Sequence, residues 1–177
     1  MNKKNKKFIS EWVIPIIVAI IVAVLINKFL IFNAYIPSES MVPTINKDDR
    51  LFISRIHNSK SVKRGDILLF KSEELEETLI KRVIGLPGDS ITIDKGVVII
   101  NGEILEEDYV ENNEFNYDGE FTVPIGKYFF LGDNRSNSKD SRFWINPYIN
   151  FEDIEGKALI RVYPFKDFGK LQNKTNL

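Results

Sequence analysis

The sequence predicts a mainly β fold behind one N-terminal transmembrane helix, with the β part built as coiled sheets or a partly closed barrel. Three observations predict it. An apolar run near the N-terminus is long enough to cross a bilayer, a succession of short strand-like runs follows it, and turn residues separate those runs.

The helix comes first. Residues 2–7 hold four lysines, and 12–26 follow as fifteen residues without a charge, amide or hydroxyl. With Asn27, Lys28 and the apolar 29–32, the segment as a helix rises about 32 Å, close to the roughly 30 Å hydrocarbon core. Pro15 falls in the first turns, where a helix tolerates proline, and Trp12 at the edge, where an indole suits the interface. Lys28, near the outer end, can extend its ammonium toward the headgroups. A cleavable leader has a shorter apolar region that ends in small residues. The reading adopted is therefore a retained anchor over 12–32, with residues 1–11 a cytoplasmic basic tail by the positive-inside bias and all that follows outside.

The strands come next. Runs rich in β-branched and aromatic residues lie at 51–56, 67–70, 78–84, 90–93, 97–100, 120–123, 127–131 and 158–163. Arg64-Gly65-Asp66 precedes one run and Gly85-Leu86-Pro87-Gly88-Asp89 follows another, while Asp94-Lys95-Gly96 has the composition of a hairpin turn. Residues 33–165 are thus expected to form one extracytoplasmic β-domain. Within it 101–118, acidic and polar with Tyr109, Phe115 and Tyr117 interspersed, reads as a solvated excursion or reduced subdomain. Residues 166–177 read as a polar tail.

Composition removes several function classes. Outside the first 32 residues there are 19 basic and 24 acidic residues, poor material for a nucleic-acid surface, which needs a concentrated basic face. There is no cysteine, so disulfides and thiolate chemistry are excluded. The single histidine, His57, sits in a polar loop and reads as a surface residue, which leaves no histidine dyad or histidine-rich metal site. No glycine-rich phosphate cradle is present. Glu73, Glu74, Glu76 and Glu77 read as a solvated face or loop.

A hydroxyl and an amine remain. Pro37-Ser38-Glu39-Ser40-Met41-Val42-Pro43-Thr44 sets two serines in a proline-bracketed turn, either a rigid mount for a nucleophile or a plain loop. Lys81, on the predicted strand 78–84, shares a face with Leu79 and Val83. If that face is buried, desolvation lowers the amine pKa and equips it as a base; if it is a rim, the tip reaches water and the residue is ordinary. A third cluster, Gly132-Asp133-Asn134-Arg135-Ser136-Asn137-Ser138-Lys139-Asp140-Ser141-Arg142, follows the run 127–131 and forms either a rigid polar loop or only a turn.

Taken together and in this order, the serine turn, the segments Arg64-Gly65-Asp66-Ile67 and Lys81-Arg82-Val83-Ile84-Gly85-Leu86-Pro87-Gly88-Asp89, and the cluster 132–142 resemble bacterial type I signal peptidases, in the compact single-span form typical of Gram-positive bacteria. The resemblance runs from about residue 11 to 163. It implies a membrane-bound serine endopeptidase that removes signal peptides from exported proteins, cutting after small residues at −1 and −3, without a cofactor or metal.

By that resemblance Ser40 is the nucleophile and Lys81 the general base. Ser38 and the Ser40 N–H serve the oxyanion, Ser138 orients the Lys81 amine, and Asp140 and Arg142 buttress the site. Ile36, Pro37 and Ile80 match positions expected to line the substrate pockets. The implied partners are signal peptides of secreted preproteins, the lipid bilayer and the nearby protein-export machinery, at the bacterial cell membrane. Ile145 departs from the pattern, since many family members carry a glycine shortly after the equivalent of Arg142-Phe143-Trp144. Two alternatives stay open at this point: a serine-lysine processing protease with dedicated substrates, and a noncatalytic anchored β-domain that binds exported proteins.

Overall fold

The computed structural model describes residues 7, 9–110 and 116–171. They fall into two units, one up to Phe32 and one from Asn33 onward. In the first, a π-helical turn, Ile9–Val13, leads into α1, Ile14–Phe29, with Pro15 in its first turn where no N–H is required. The stretch Glu11–Phe29 has a mean hydropathy of 2.5 and buries none of its residues within the protein. A helix apolar on every side needs a nonaqueous surround.

The chain passes between the units along β1, Ile31–Tyr35. There follow β2 (Arg50–Arg55), β3 (Ile67–Ser72), β4 (Glu77–Gly85), β5 (Ser90–Asp94), β6 (Val97–Ile100), β7 (Glu103–Ile104), β8 (Gly119–Thr122), β9 (Lys127–Leu131), β10 (Tyr148–Asn150), β11 (Ile154–Tyr163) and β12 (Gly169–Lys170). The eight runs read from the sequence coincide with strands, two of them (51–56 and 120–123) running one residue past the strand end. The larger sheet has the order β1-β2-β11-β3-β4-β9-β10, with β12 added along β11; the smaller has the order β7-β6-β5-β8.

A partly closed barrel, expected from the many short strands, is not what forms. Each sheet is open, its first and last strands unpaired with one another, β1 and β10 in one and β7 and β8 in the other. Alternation along a strand reports which face is buried, not whether the two edges of a sheet meet. The fold is two open sheets, preceded by an apolar helix.

The sheets are joined through β4 and β9. Tyr128 and Phe130 of β9 and Val83 of β4 face a core with Leu68, Phe70, Trp144 and Ile149, where Phe70 stacks on Phe130 at 4.3 Å. Phe129 and Leu131, with Ile84, face a second core formed with Ile91, Ile93, Val98 and Ile100 of the small sheet. Burial on both faces explains why 127–131 reads as a nearly continuous apolar run. The β5–β6 hairpin turns through Lys95 and Gly96, both at positive φ (46° and 85°), the type I′ geometry that its sequence predicts.

In its described part the acidic segment after β6 is mostly exposed but is tied to the domain. Leu105 and Tyr109 are buried, β7 pairs with β6, and the Glu107 side chain is enclosed with Arg135. Phe115 lies outside the described residues. In the tail, Gly169 and Lys170 pair with Arg161 and Ile160, and 172–177 lie outside the described residues.

Candidate active site

Strand β4 builds one side of the site. Its alternation sends Leu79, Lys81 and Val83 to one face and Arg82 and Ile84 to the other, and Lys81 lies opposite Leu68 of β3. On the other flank β4 pairs with β9 as far as Arg82 against Leu131. Lys81 therefore sits just where that ladder stops and the loop 132–142 begins.

The serine turn supplies the other side. Lys81 Nζ is hydrogen-bonded to Ser40 Oγ at 2.6 Å, across 41 residues of sequence. Both residues are buried, Ser40 at 6% exposure and Lys81 at 3%. Burial pulls the Lys81 amine from its ordinary 10.5 down to about 8, against the opposing pull of the Asp140 and Asp133 carboxylates. Ser38 Oγ lies 3.4 Å from Ser40 Oγ. Of the two readings left open for the lysine, the structure selects the buried one.

The loop after β9 holds the serine turn in place. The Asn134 N–H donates to the Ser40 carbonyl (3.1 Å) and Asn134 Nδ2 to the Glu39 carbonyl (3.1 Å). Gly132 makes the approach possible, because a Cβ on it would lie 2.2 Å from Ser138 Oγ and 2.5 Å from the Ser40 carbonyl oxygen. The Gly132 N–H donates to Asp140 Oδ2 at 2.9 Å. Asp140 in turn takes Arg142 Nε and Nη2 at 2.8 and 2.9 Å, and the second Arg142 nitrogen also donates to the Arg135 carbonyl. A carboxylate held this way fixes the loop's path through a charge-assisted fork.

On the opposite face of β4, Arg82 donates to Asp133 through Nε (2.8 Å) and Nη2 (2.6 Å), and to the Gly65 carbonyl (2.9 Å). Neither side chain of the ion pair reaches solvent. Adjacent basic residues thus have opposite surroundings. Arg82 is fully paired, whereas Lys81 has a hydroxyl for its hydrogen-bond partner.

The hydrogen bond expected from Ser138 to the Lys81 amine is not made. Ser138 is buried, its hydroxyl has no hydrogen-bond partner among the described residues, and its side chain lies close to Gly132. Ser38, Ser40, Lys81 and Ser138 line one open groove of about 450 Å³. Ile36 and Ile80 are buried and Pro37 is exposed, and none of the three lines this groove. Its apolar walls come from Leu75, Leu79 and Phe143, none of which the sequence marks as a substrate-pocket residue. The signal for Leu79 was present, since it stands two residues before Lys81 on the same strand face.

His57 is exposed, and among the described residues no group of three or more His, Cys, Asp or Glu side chains is placed to hold a metal ion. Ile145 points to solvent at 91% exposure, while its N–H and that of Asn146 donate to the Glu74 carboxylate. Glu74 is therefore a tie between two loops, not only a solvated charge. Those two N–H groups hold its pKa below the usual carboxylate value.

Comparison with known proteins gives this geometry its class. Residues 9–163 match the family model for signal peptidase, peptidase S26. A signal peptidase I of Leptolyngbya laminosa is 38% identical, covering 92% of this chain and 84% of its own. Signal peptidase I P of Bacillus subtilis subsp. natto is 35% identical over 92% of this chain and 94% of its own. A crystal structure of a signal peptidase I from Enterococcus faecalis V583 is similar at 33% identity and a TM-score of 0.49, covering 55% of this chain and 96% of the other.

The chain belongs to the S26 signal peptidase family. It is a membrane-bound serine endopeptidase of the signal peptidase I type, with one apolar membrane-length helix among the described residues, near the N-terminus, and an extracellular catalytic domain, and it acts on secreted preproteins at the bacterial membrane.

Proposed function

We propose that signal-peptide cleavage in this protein is performed by Ser40 as nucleophile and Lys81 as general base. The observation that carries the assignment is the buried Lys81 Nζ at 2.6 Å from Ser40 Oγ, inside a groove open to substrate. In its neutral form the amine accepts the hydroxyl proton as Oγ attacks the scissile carbonyl carbon. The tetrahedral adduct collapses to an acyl-enzyme as the protonated amine gives that proton to the departing amine of the mature chain. Water then attacks the ester, losing a proton to Lys81; as the ester C–O bond breaks the amine returns that proton to Ser40 Oγ, and the signal peptide leaves as the carboxylic acid with both residues restored.

The Ser38 hydroxyl and the Ser40 N–H stabilise the negative charge developing on the carbonyl oxygen. Losing one such donor costs about 3 kcal/mol of transition-state stabilisation in comparable sites. Ser138, whose hydroxyl is uncommitted in the free protein, orients the Lys81 amine once Ser40 is acylated. Asp140 and Arg142 act through the loop they brace. The partly apolar groove with Leu79 beside the dyad favours small side chains at −1 and −3, and the substrates reach it as preproteins at the membrane, beside the export machinery.

Purified full-length protein should cleave a signal-peptide substrate with alanine at −1 and −3, and Ser40→Ala and Lys81→Ala should each abolish cleavage while remaining folded. Undiminished cleavage by Ser40→Ala refutes the nucleophile assignment. Equal rates with a bulky residue at −1 refute the small-residue preference.

A further inference from the structure

Behind the dyad, five side chains and one short piece of backbone form a closed ring. The Arg82 guanidinium carbon lies 3.8 Å from the centre of the Tyr109 ring. The Tyr109 hydroxyl donates to Glu107 Oε1 at 2.6 Å, and that same carboxylate oxygen accepts from Arg135 Nη2. Arg135 Nε donates to the Gly132 carbonyl at 3.1 Å. Gly132 is bonded covalently to Asp133, whose carboxylate returns to Arg82. Arg82, Tyr109, Asp133 and Arg135 are all buried, and the Glu107 side chain is 8% exposed.

We propose that Glu107 and Tyr109, on the acidic segment after β7, are positioning residues for cleavage: they close a ring that holds the Gly132 loop against the Lys81–Ser40 pair. The ring contains a neighbour of each member of the dyad, Arg82 next to Lys81 along the strand and Gly132 packed against the Ser40 carbonyl. Among the described residues Glu107 is the carboxylate paired with the Arg135 side chain, and the loop uses that residue twice, its side chain for the Gly132 carbonyl and its own carbonyl for Arg142. Without Glu107, Arg135 becomes a buried cation without its hydrogen-bonded counter-ion and turns toward water, so its side-chain bond to the Gly132 carbonyl is lost and the backbone that carries the Arg142 contact is loosened.

Tyr109 supports the ring in two ways. Its face stacks on Arg82, and its hydroxyl holds the Glu107 carboxylate in the arginine fork. The effect on catalysis follows from distance. A displacement of about 1 Å at Gly132 moves the Ser40 carbonyl with it, and misplacement of that size costs about a hundredfold in rate. A loosened loop also admits water to Lys81, returning its amine toward the pKa of an exposed lysine.

This inference rests on the assignment of Lys81 as base, and the experiment separates the two. Glu107→Ala, Glu107→Asp, Tyr109→Phe and the neighbouring exposed control Glu106→Ala are assayed as full-length protein on one signal-peptide substrate, alongside Lys81→Ala. Hydrogen exchange is followed at the Gly132 and Asn134 amides. In Glu107→Ala, kcat should fall ten- to a hundredfold with KM within about twofold, the acid limb of the pH profile should move to higher pH, and both amides should exchange faster than global opening allows. Tyr109→Phe should show a smaller loss, Glu107→Asp a partial recovery, and Glu106→Ala none. Unchanged exchange at the two amides, or an unchanged kcat, in folded Glu107→Ala overturns the proposal. Full activity in Lys81→Ala refutes the base assignment, and the exchange result then judges the ring independently.

Discussion

Arg82 and Asp133 form a two-pronged ion pair that excludes solvent from both partners, one residue along the strand from the lysine of the dyad. Removing either charge strands the other in the interior, a change that typically costs about 3–5 kcal/mol. Asp133→Asn should therefore destabilise the extracellular domain by a free energy of that order, read as a lower urea midpoint. The Arg82→Met, Asp133→Leu double variant should recover part of the stability, because it removes both charges together. Urea unfolding followed by circular dichroism reads both outcomes.

The pH dependence of cleavage follows from Lys81. The neutral amine is the active form, and burial sets its pKa at about 8. Log kcat/KM on a signal-peptide substrate should therefore rise with unit slope up to about pH 8 and then level, as only the neutral fraction reacts. A profile flat from pH 6 to 9 would exclude the amine as base.

Stability has a related dependence. The folded pKa of Lys81 lies below its unfolded value, so the unfolded chain binds more protons between about pH 8 and 10.5, and stability contributed by this group rises with pH across that window. Below it the buried ammonium costs up to about 3 kcal/mol. Lys81→Met should consequently melt higher than the parent at pH 7, with the difference shrinking as pH climbs through the window. Thermal melts at pH 7, 9 and 10.5 test the sign.

Gly132→Ala should be far more damaging than a methyl group usually is on a surface loop. Its Cβ would meet the Ser138 hydroxyl and, less yieldingly, the backbone oxygen of Ser40. Relief requires the serine turn to move, and kcat should fall by about a hundredfold or more. Substrate binding along the groove walls should be less affected, so KM should change little.

Leu79 makes the opposite prediction. It lines the groove and carries no group that can take part in the chemistry, so Leu79→Gln should raise KM several-fold with little change in kcat, the pattern of lost uniform binding. A fall in kcat at constant KM would place Leu79 in the chemistry instead.

Much of the β architecture was legible because the runs alternate or bury both faces, as 78–84 and 127–131 do. Tyr148–Asn150 was hidden because its context, Asn146-Pro147-Tyr148-Ile149-Asn150, carries more turn signal than strand signal. Closure of the sheet was misjudged because edge pairing is a tertiary property. The buried ring of Glu107, Tyr109 and Arg135 was missed for a related reason. Acidic composition reads as solvated unless the partner is known, and Arg135 is 28 residues away. The pairing of Ser40 with Lys81 came from the family resemblance. Composition and spacing left both residues ambiguous, and only burial decides whether a strand lysine is a base or a rim charge.

The groove places a primary amine that is partly uncharged at neutral pH beside a primary hydroxyl, with Leu75, Leu79 and Phe143 along the same cleft. Two different electrophiles can be matched to that pair. A boronic acid forms its adduct at the oxygen, whereas an aldehyde can condense with the nitrogen, releasing water and leaving an imine. An apolar ligand carrying either warhead would report, by which atom it labels, which of the two neighbours is the stronger nucleophile toward it.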